Sequence, residues 1–202
     1  MSHPTVPRLS ILSASVGLAF LVAASAATAQ GTSTSASPST ATGMKAGAGA
    51  SLASADKSFV EKAAVGGLAE VEMGKMAQQK GSSDQVKQFG SRMVEDHSKA
   101  NDELKQVASS KGITLPTELD AKHKSKMDKM QKLSGAQFDR AYMDDMVADH
   151  KQDVADFKKQ ANSGKDSDLK AFAAKTLPTL EDHLKMAQST EAAVKGSKSA
   201  SR

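Results

Sequence analysis

The 202-residue sequence has no cysteine and no tryptophan, one tyrosine and six phenylalanines. Without cysteine there is no disulfide, no thiolate metal site, no thiol nucleophile and no lipid anchor on a cysteine. Stability therefore has to come from burial. Aromatic residues make up 3% of the chain, too few for the stacking platforms that single-stranded nucleic acids need. Nor is there a charge of one sign: 27 Lys and Arg stand against 23 Asp and Glu, interleaved along the chain. A solvated helical surface explains that pattern, and no nucleic-acid partner is expected despite a pI of 9.2. Weak association with an anionic cell envelope is the one partner that the charge suggests. Glycine-rich phosphate loops and dinucleotide fingerprints are missing, as is a serine in a strand-to-helix elbow, so the chain is not expected to be an enzyme.

What is present begins with an N-terminal leader. Arg8 precedes an apolar run over 11–27 that closes on Ala27-Thr28-Ala29, the pattern of a secretory signal peptide over residues 1–29 cut after Ala29. The expected location is periplasmic or secreted, with no transmembrane helix in the mature protein. Residues 30–54 are Ser, Thr, Ala and Gly with almost no large apolar side chain, and read as a disordered linker. One folded domain is expected over 55–195, followed by a disordered tail over 196–202.

Within that domain, apolar residues recur at helical spacing and Gly or Pro marks the breaks. Helices are predicted over 56–80 with Asp56 as N-cap, 84–111, 117–133 with Thr117 as N-cap, 136–162 and 166–195, with Pro178 kinking the last. The third is short and very polar. Four long helices in two hairpins, joined by a crossover that carries the short helix, predict an all-α, ferritin-like four-helix bundle. Short echoes, Glu95-Asp96-His97 with Glu181-Asp182-His183 and Met93-Val94 with Met146-Val147, suggest a duplicated hairpin.

Three of the five histidines directly follow an aspartate: Asp96-His97, Asp149-His150 and Asp182-His183. At about 100° per residue, His97 shares a stripe with Phe89, Met93 and Leu104, His150 with Tyr142, Met146 and Phe157, and His183 with Leu180 and Ala187. In the first helix a small-residue stripe of Ala63, Gly67, Gly74 and Ala77 surrounds Glu70. Glu70, His97, His150 and His183 all fall in mid-helix and form a candidate polar cluster. A carboxylate and three imidazoles are a ligand set suited to zinc, copper, nickel or non-haem iron, with Asp96, Asp149 and Asp182 as candidate outer acceptors. Met93, Met146 and Met186 lie one turn from a histidine each and would add soft donors for monovalent copper, although methionine is also a common filler of irregular cores. The di-iron signature Glu-x-x-His is missing, because Val94, Val147 and Leu180 stand three residues before the histidines. The alternative is a packing role, with neutral imidazoles hydrogen-bonded to Glu70, Tyr142 or one another. His123, among lysines on the polar crossover helix, is expected to be exposed.

The ordered set Asp56-x-x-Phe59, Glu70-Val71-Glu72, Met93-Val94-x-Asp96-His97, Leu133-Ser134-Gly135-x-x-Phe138-Asp139, Met146-Val147-x-Asp149-His150 and Leu177-Pro178-x-Leu180-x-x-His183 resembles the bacterial exported family known as domain of unknown function 4142. The resemblance covers about residues 56–190. It implies a ferritin-like helical bundle outside the cytoplasm and brings no assigned reaction. The sequence thus points to an exported, non-catalytic binding or stress-related accessory protein, with a metal-binding bundle as the alternative. No cofactor is assured; a transition metal is the candidate.

Overall fold

The computed structural model describes residues 52–196. The expected signal peptide, nearly all of the expected linker and the residues from 197 onward lie outside them. Five helices and no strand occur among the described residues: α1 (Ser54–Lys80), α2 (Asp84–Ser110), α3 (Ala121–Gln131), α4 (Gly135–Ser163) and α5 (Ser167–Gly196). None is long and apolar enough to cross a membrane. α1 packs along α2 and α4 along α5 as two hairpins; α2 against α5 and α1 against α4 close a helical bundle, and α3 lies over α1 and α4.

The hairpin turns show why the helices stop where they do. α1 ends at Gly81, whose N–H donates to the Ala77 carbonyl at 3.0 Å. The next two amides, of Ser82 and Ser83, would be orphans at the start of α2, and both donate to the buried carboxylate of Asp139 on α4, at 3.0 and 2.9 Å. Asp56 does the same for the other hairpin. It is not the N-cap expected from the sequence, because the helix starts earlier, with Ala53 at the cap. Its buried carboxylate reaches across to accept from the backbone N–H of Lys165 and Asp166 and from Gln160 Nε2. α2 closes on Gly112, which takes the left-handed conformation (φ 66°), while the Ile113 N–H returns to the Ala108 carbonyl at 2.9 Å.

The crossover helix is shorter than predicted. Its cap is Asp120, not Thr117, and the Asp120 carboxylate accepts the His123 N–H at 2.8 Å. Pro116 favours extended backbone at Leu115 before it, and the helix starts only where Asp120 supplies a cap. α5 runs unbroken through Pro178.

Two apolar cores stack along the bundle. One gathers Phe59, Val60, Leu104, Phe157, Leu169, Phe172 and Leu180 and contains no methionine; Phe59 meets Phe157 edge-on with centroids 5.0 Å apart. The other holds Met73, Met76, Met93, Met130, Met143 and Met146 around Phe89, Phe138 and Tyr142. Along each long helix the chain passes from one core to the other: Ala64 to Met73, Leu104 to Met93, Phe157 to Met146, Leu180 to Ala187. The residues in between are Glu70, His97, His150 and His183. A buried polar layer thus separates the two cores.

Candidate metal centre

Each of the four long helices delivers one of these side chains to the layer, and all four are buried: Glu70 is 5% exposed, His97 5%, His150 0% and His183 1%. The three imidazole rings pack as a triangle, with centroids 5.6 Å apart for His97 and His150, 5.3 Å for His97 and His183, and 5.4 Å for His150 and His183. Each offers a ring nitrogen within 4.8 Å of one from each of the others.

The hydrogen bonds decide which nitrogen that is. His150 Nδ1 lies 3.0 Å from the Met146 carbonyl, one turn back on α4; a carbonyl only accepts, so Nδ1 carries the proton and Nε2 keeps its lone pair. His183 Nε2 lies 2.9 Å from Asp96 Oδ2. Arg92 Nε also donates to Asp96, and although burial opposes ionisation, the His183 and Arg92 hydrogen bonds hold that carboxyl below its ordinary range. Asp96 is then an acceptor, and Nδ1 of His183 is left with the lone pair. His97 Nδ1 faces Glu70 Oε2 at 2.8 Å. The nitrogens that remain, His97 Nε2, His150 Nε2 and His183 Nδ1, are buried and make no hydrogen bond; His150 Nε2 lies 3.5 Å from Glu70 Oε1. Three lone pairs in one small volume, each opposed by an acceptor at the far side of its ring, is the arrangement that orients imidazoles on a metal.

Burial pushes both His97 and His183 down to about 4, and lowers His150 as well. The imidazoles are therefore neutral at physiological pH, the state a metal requires. The carboxyls move the other way. Burial raises Glu70 to about 7, and burial with the charge of Glu70 raises Asp153 well above the ordinary range. Tyr142 is held protonated by burial and by Glu70, and its hydroxyl has no partner.

Several sequence expectations need correction. Of the three aspartates that precede the histidines, only Asp96 contacts a ring, and it serves His183 across the α2–α5 interface rather than its neighbour His97. Asp149 is 2.6 Å from Lys126, and Asp182 is exposed with Lys185 at 3.1 Å; residues adjacent on a helix point about 100° apart, so a ring turned inward sends its neighbour outward. Met93 and Met146 are buried, but Met186 is 38% exposed and turns away from the site. Of the partners that the packing alternative named, Glu70 is found, 2.8 Å from His97 Nδ1, while no histidine bonds to Tyr142 or to another histidine; Met146 O and Asp96 serve His150 and His183. His123 is half-buried, with Nδ1 2.8 Å from Asp120 Oδ1, and lines a surface cavity.

The residue that the sequence did not single out is Asp153, which brings a carboxylate oxygen within 4.8 Å of ligand atoms of both Glu70 and His150. Its signal was His150-x-x-Asp153, a carboxylate one turn after the imidazole, where the di-iron pattern places it one turn before.

The fold and this layer define an all-helical bundle with a buried histidine and carboxylate cluster at its centre. Residues 41–190 match the family described as domain of unknown function (DUF4142), and the chain belongs to it. No curated protein and no solved structure matches.

Proposed function

We propose that this protein is an exported, ferritin-like bundle that holds one transition-metal ion on His97, His150 and His183, with Glu70 beside it, and that it serves as a metal-binding accessory protein rather than an enzyme. One observation carries this: three buried imidazole nitrogens converge with no donor to satisfy them. Buried polar atoms are almost always paired, and a cation is the partner that answers three lone pairs together. Three imidazoles with a carboxylate suit zinc, cobalt, nickel, copper or ferrous iron. The wrong order for Glu-x-x-His argues for one ion rather than a di-iron pair. Export rests on Arg8, the apolar run and Ala27-Thr28-Ala29, and the ferritin-like reading on two hairpins joined by a long crossover.

Metal analysis of protein purified without chelator, and titration of the stripped protein with zinc, test the proposal. One ion per chain is expected, absent from purified His183→Gln and His97→Gln variants that keep wild-type helicity and bound by them only weakly on titration. A wild-type protein that takes up no metal, or variants that bind as the wild type does, would remove it.

A further inference from the structure

The layer does not end at the imidazoles. A cavity of about 590 Å³ opens to solvent between α1, α3 and α4. Glu70 and Asp153 line it, and the same two residues, with His97, also line a small adjoining pocket of about 30 Å³, room for one water-sized species. The two carboxylates thus stand between open solvent and the imidazole triangle. They form a second group with His150, all ligand atoms within 4.8 Å of one another, and Glu70 Oε1 there is buried and has no donor.

His150 belongs to both groups, and this decides how they relate. Its Nδ1 is committed to the Met146 carbonyl, which leaves Nε2 as its single ligand atom. One lone pair cannot serve two ions at once, so the groups are alternative positions of one ion. The outer position has mostly oxygen donors and faces the cavity; the inner has three nitrogens and is closed from water. The surroundings favour traffic of cations. Glu61, Asp120, Asp149 and Asp156 also line the cavity. Lys126 offsets Asp149 at 2.6 Å and Lys62 lies 3.7 Å from Asp156, and with Lys122 they leave an excess of carboxylates at the mouth.

We infer that Glu70, Asp153 and His150 form a capture station for a divalent cation, reached through the α1/α3/α4 cavity, from which the ion passes to His97, His150 and His183 with His150 held as a ligand throughout. This rests on the metal-binding role proposed above and adds the route to it.

Cobalt(II) alone, mixed in a stopped-flow instrument with the metal-free full chain, tests the route, because its visible spectrum reports both rate and coordination. Asp153→Asn is expected to slow uptake about tenfold, within the range by which a charged cleft speeds association, while the final spectrum and a stoichiometry of one stay as in the wild type. Asp153→Glu should restore the rate. His183→Gln, with the station intact, should still capture cobalt, weakly and with the pale spectrum of oxygen-rich coordination. An unchanged rate in Asp153→Asn, complete loss of binding in that variant, or two ions per wild-type chain would overturn the route and leave the triad standing. No cobalt uptake by the wild type overturns both.

Discussion

Asp56 and Asp139 do the same work on opposite hairpins, each lying in the first turns of one hairpin and accepting the loop amides of the other. They are not alone in this. Asp139 follows Asp56 at the same interval along the chain as Tyr142 follows Phe59, Asp153 follows Glu70, Gly164 follows Gly81, Leu169 follows Val86 and Phe172 follows Phe89. Caps, turn glycines, core aromatics and the carboxylate pair all repeat. At that interval His97 falls on Leu180, His183 on Ala100 and His150 on Gly67, so the histidines break the repeat. The frame accepts an apolar or small side chain wherever it also carries an imidazole. Packing alone does not call for the three rings, and their convergence on one side of each pair is what marks a site.

The comparison can be broken most forcefully at the reciprocal caps. Asp139→Ala strands the Ser82 and Ser83 amides, and Asp56→Ala strands those of Lys165 and Asp166 together with the Gln160 amide. Hydrogen bonds to a charged acceptor are among the stronger ones, and each substitution should cost about 3 kcal/mol, a fall in Tm of about 10 °C for a domain of this size. The two sites are at different turns and share no partner, so the double variant should show the sum. If one aspartate proves dispensable in thermal melts while the other is not, the hairpins are not equivalents.

A smaller effect should separate the hairpins where they differ. At Gly74 a Cβ would stand 2.7 Å from the Gly90 carbonyl oxygen, and at Gly90 a Cβ would stand 2.8 Å from the Gly74 carbonyl oxygen and from the Ala77 methyl. α1 and α2 touch there backbone to backbone, and the α4–α5 hairpin has Phe157 and Ala173 at the matching positions. Gly74→Ala and Gly90→Ala should each cost about 2 kcal/mol by forcing the helices apart. Gly66, with nothing within 4 Å of an added Cβ, is the control: Gly66→Ala should gain up to about 1 kcal/mol from helix propensity. Denaturant melts that put all three on the same side of wild type would contradict the close approach.

Much of this architecture was legible in the sequence because it rests on local signals. Periodicity located every helix, and Gly81, Gly112 and Gly164 marked the ends of the first, second and fourth correctly. The inward face of His97, His150 and His183 followed from the same periodicity. Contacts that cross the bundle were not legible. Asp56 looked like an N-cap since nothing local shows that the amides it serves belong to another hairpin. The Asp-His pairs offered three aspartates as outer acceptors, whereas helix geometry sends neighbours apart and only Asp96 fills that role, for His183 on another helix. Those same pairs suggested a duplication, and the repeat that the structure supports runs through Asp56 and Asp139, in a register that aligns none of the histidines with each other. Asp153 was not legible because the di-iron pattern places its carboxylate one turn before each histidine, and Asp153 lies one turn after His150.

The subtlest difference between carboxyls and imidazoles in the layer should appear as opposite pH limbs in the metal-free protein. Burial lifts Glu70 from an ordinary 4.5 to about 7; the folded chain holds that proton more tightly than the unfolded one, so its contribution is complete below about pH 4.5 and is lost as pH rises through 7. Burial lowers His97 and His183 from 6.5 to about 4; the unfolded chain binds those protons more tightly, so stability is full above about pH 6.5 and declines as pH falls toward 4. With chelator present, Tm should therefore pass through a maximum in the mildly acidic range. Glu70→Gln keeps an acceptor for His97 Nδ1 and has nothing to titrate, so it should flatten the alkaline limb and leave the acid limb in place. A variant whose acid limb flattens instead would mean that the imidazoles, not the carboxyls, hold the proton in the folded layer, and the lone pairs assigned to the metal would then be filled by hydrogen.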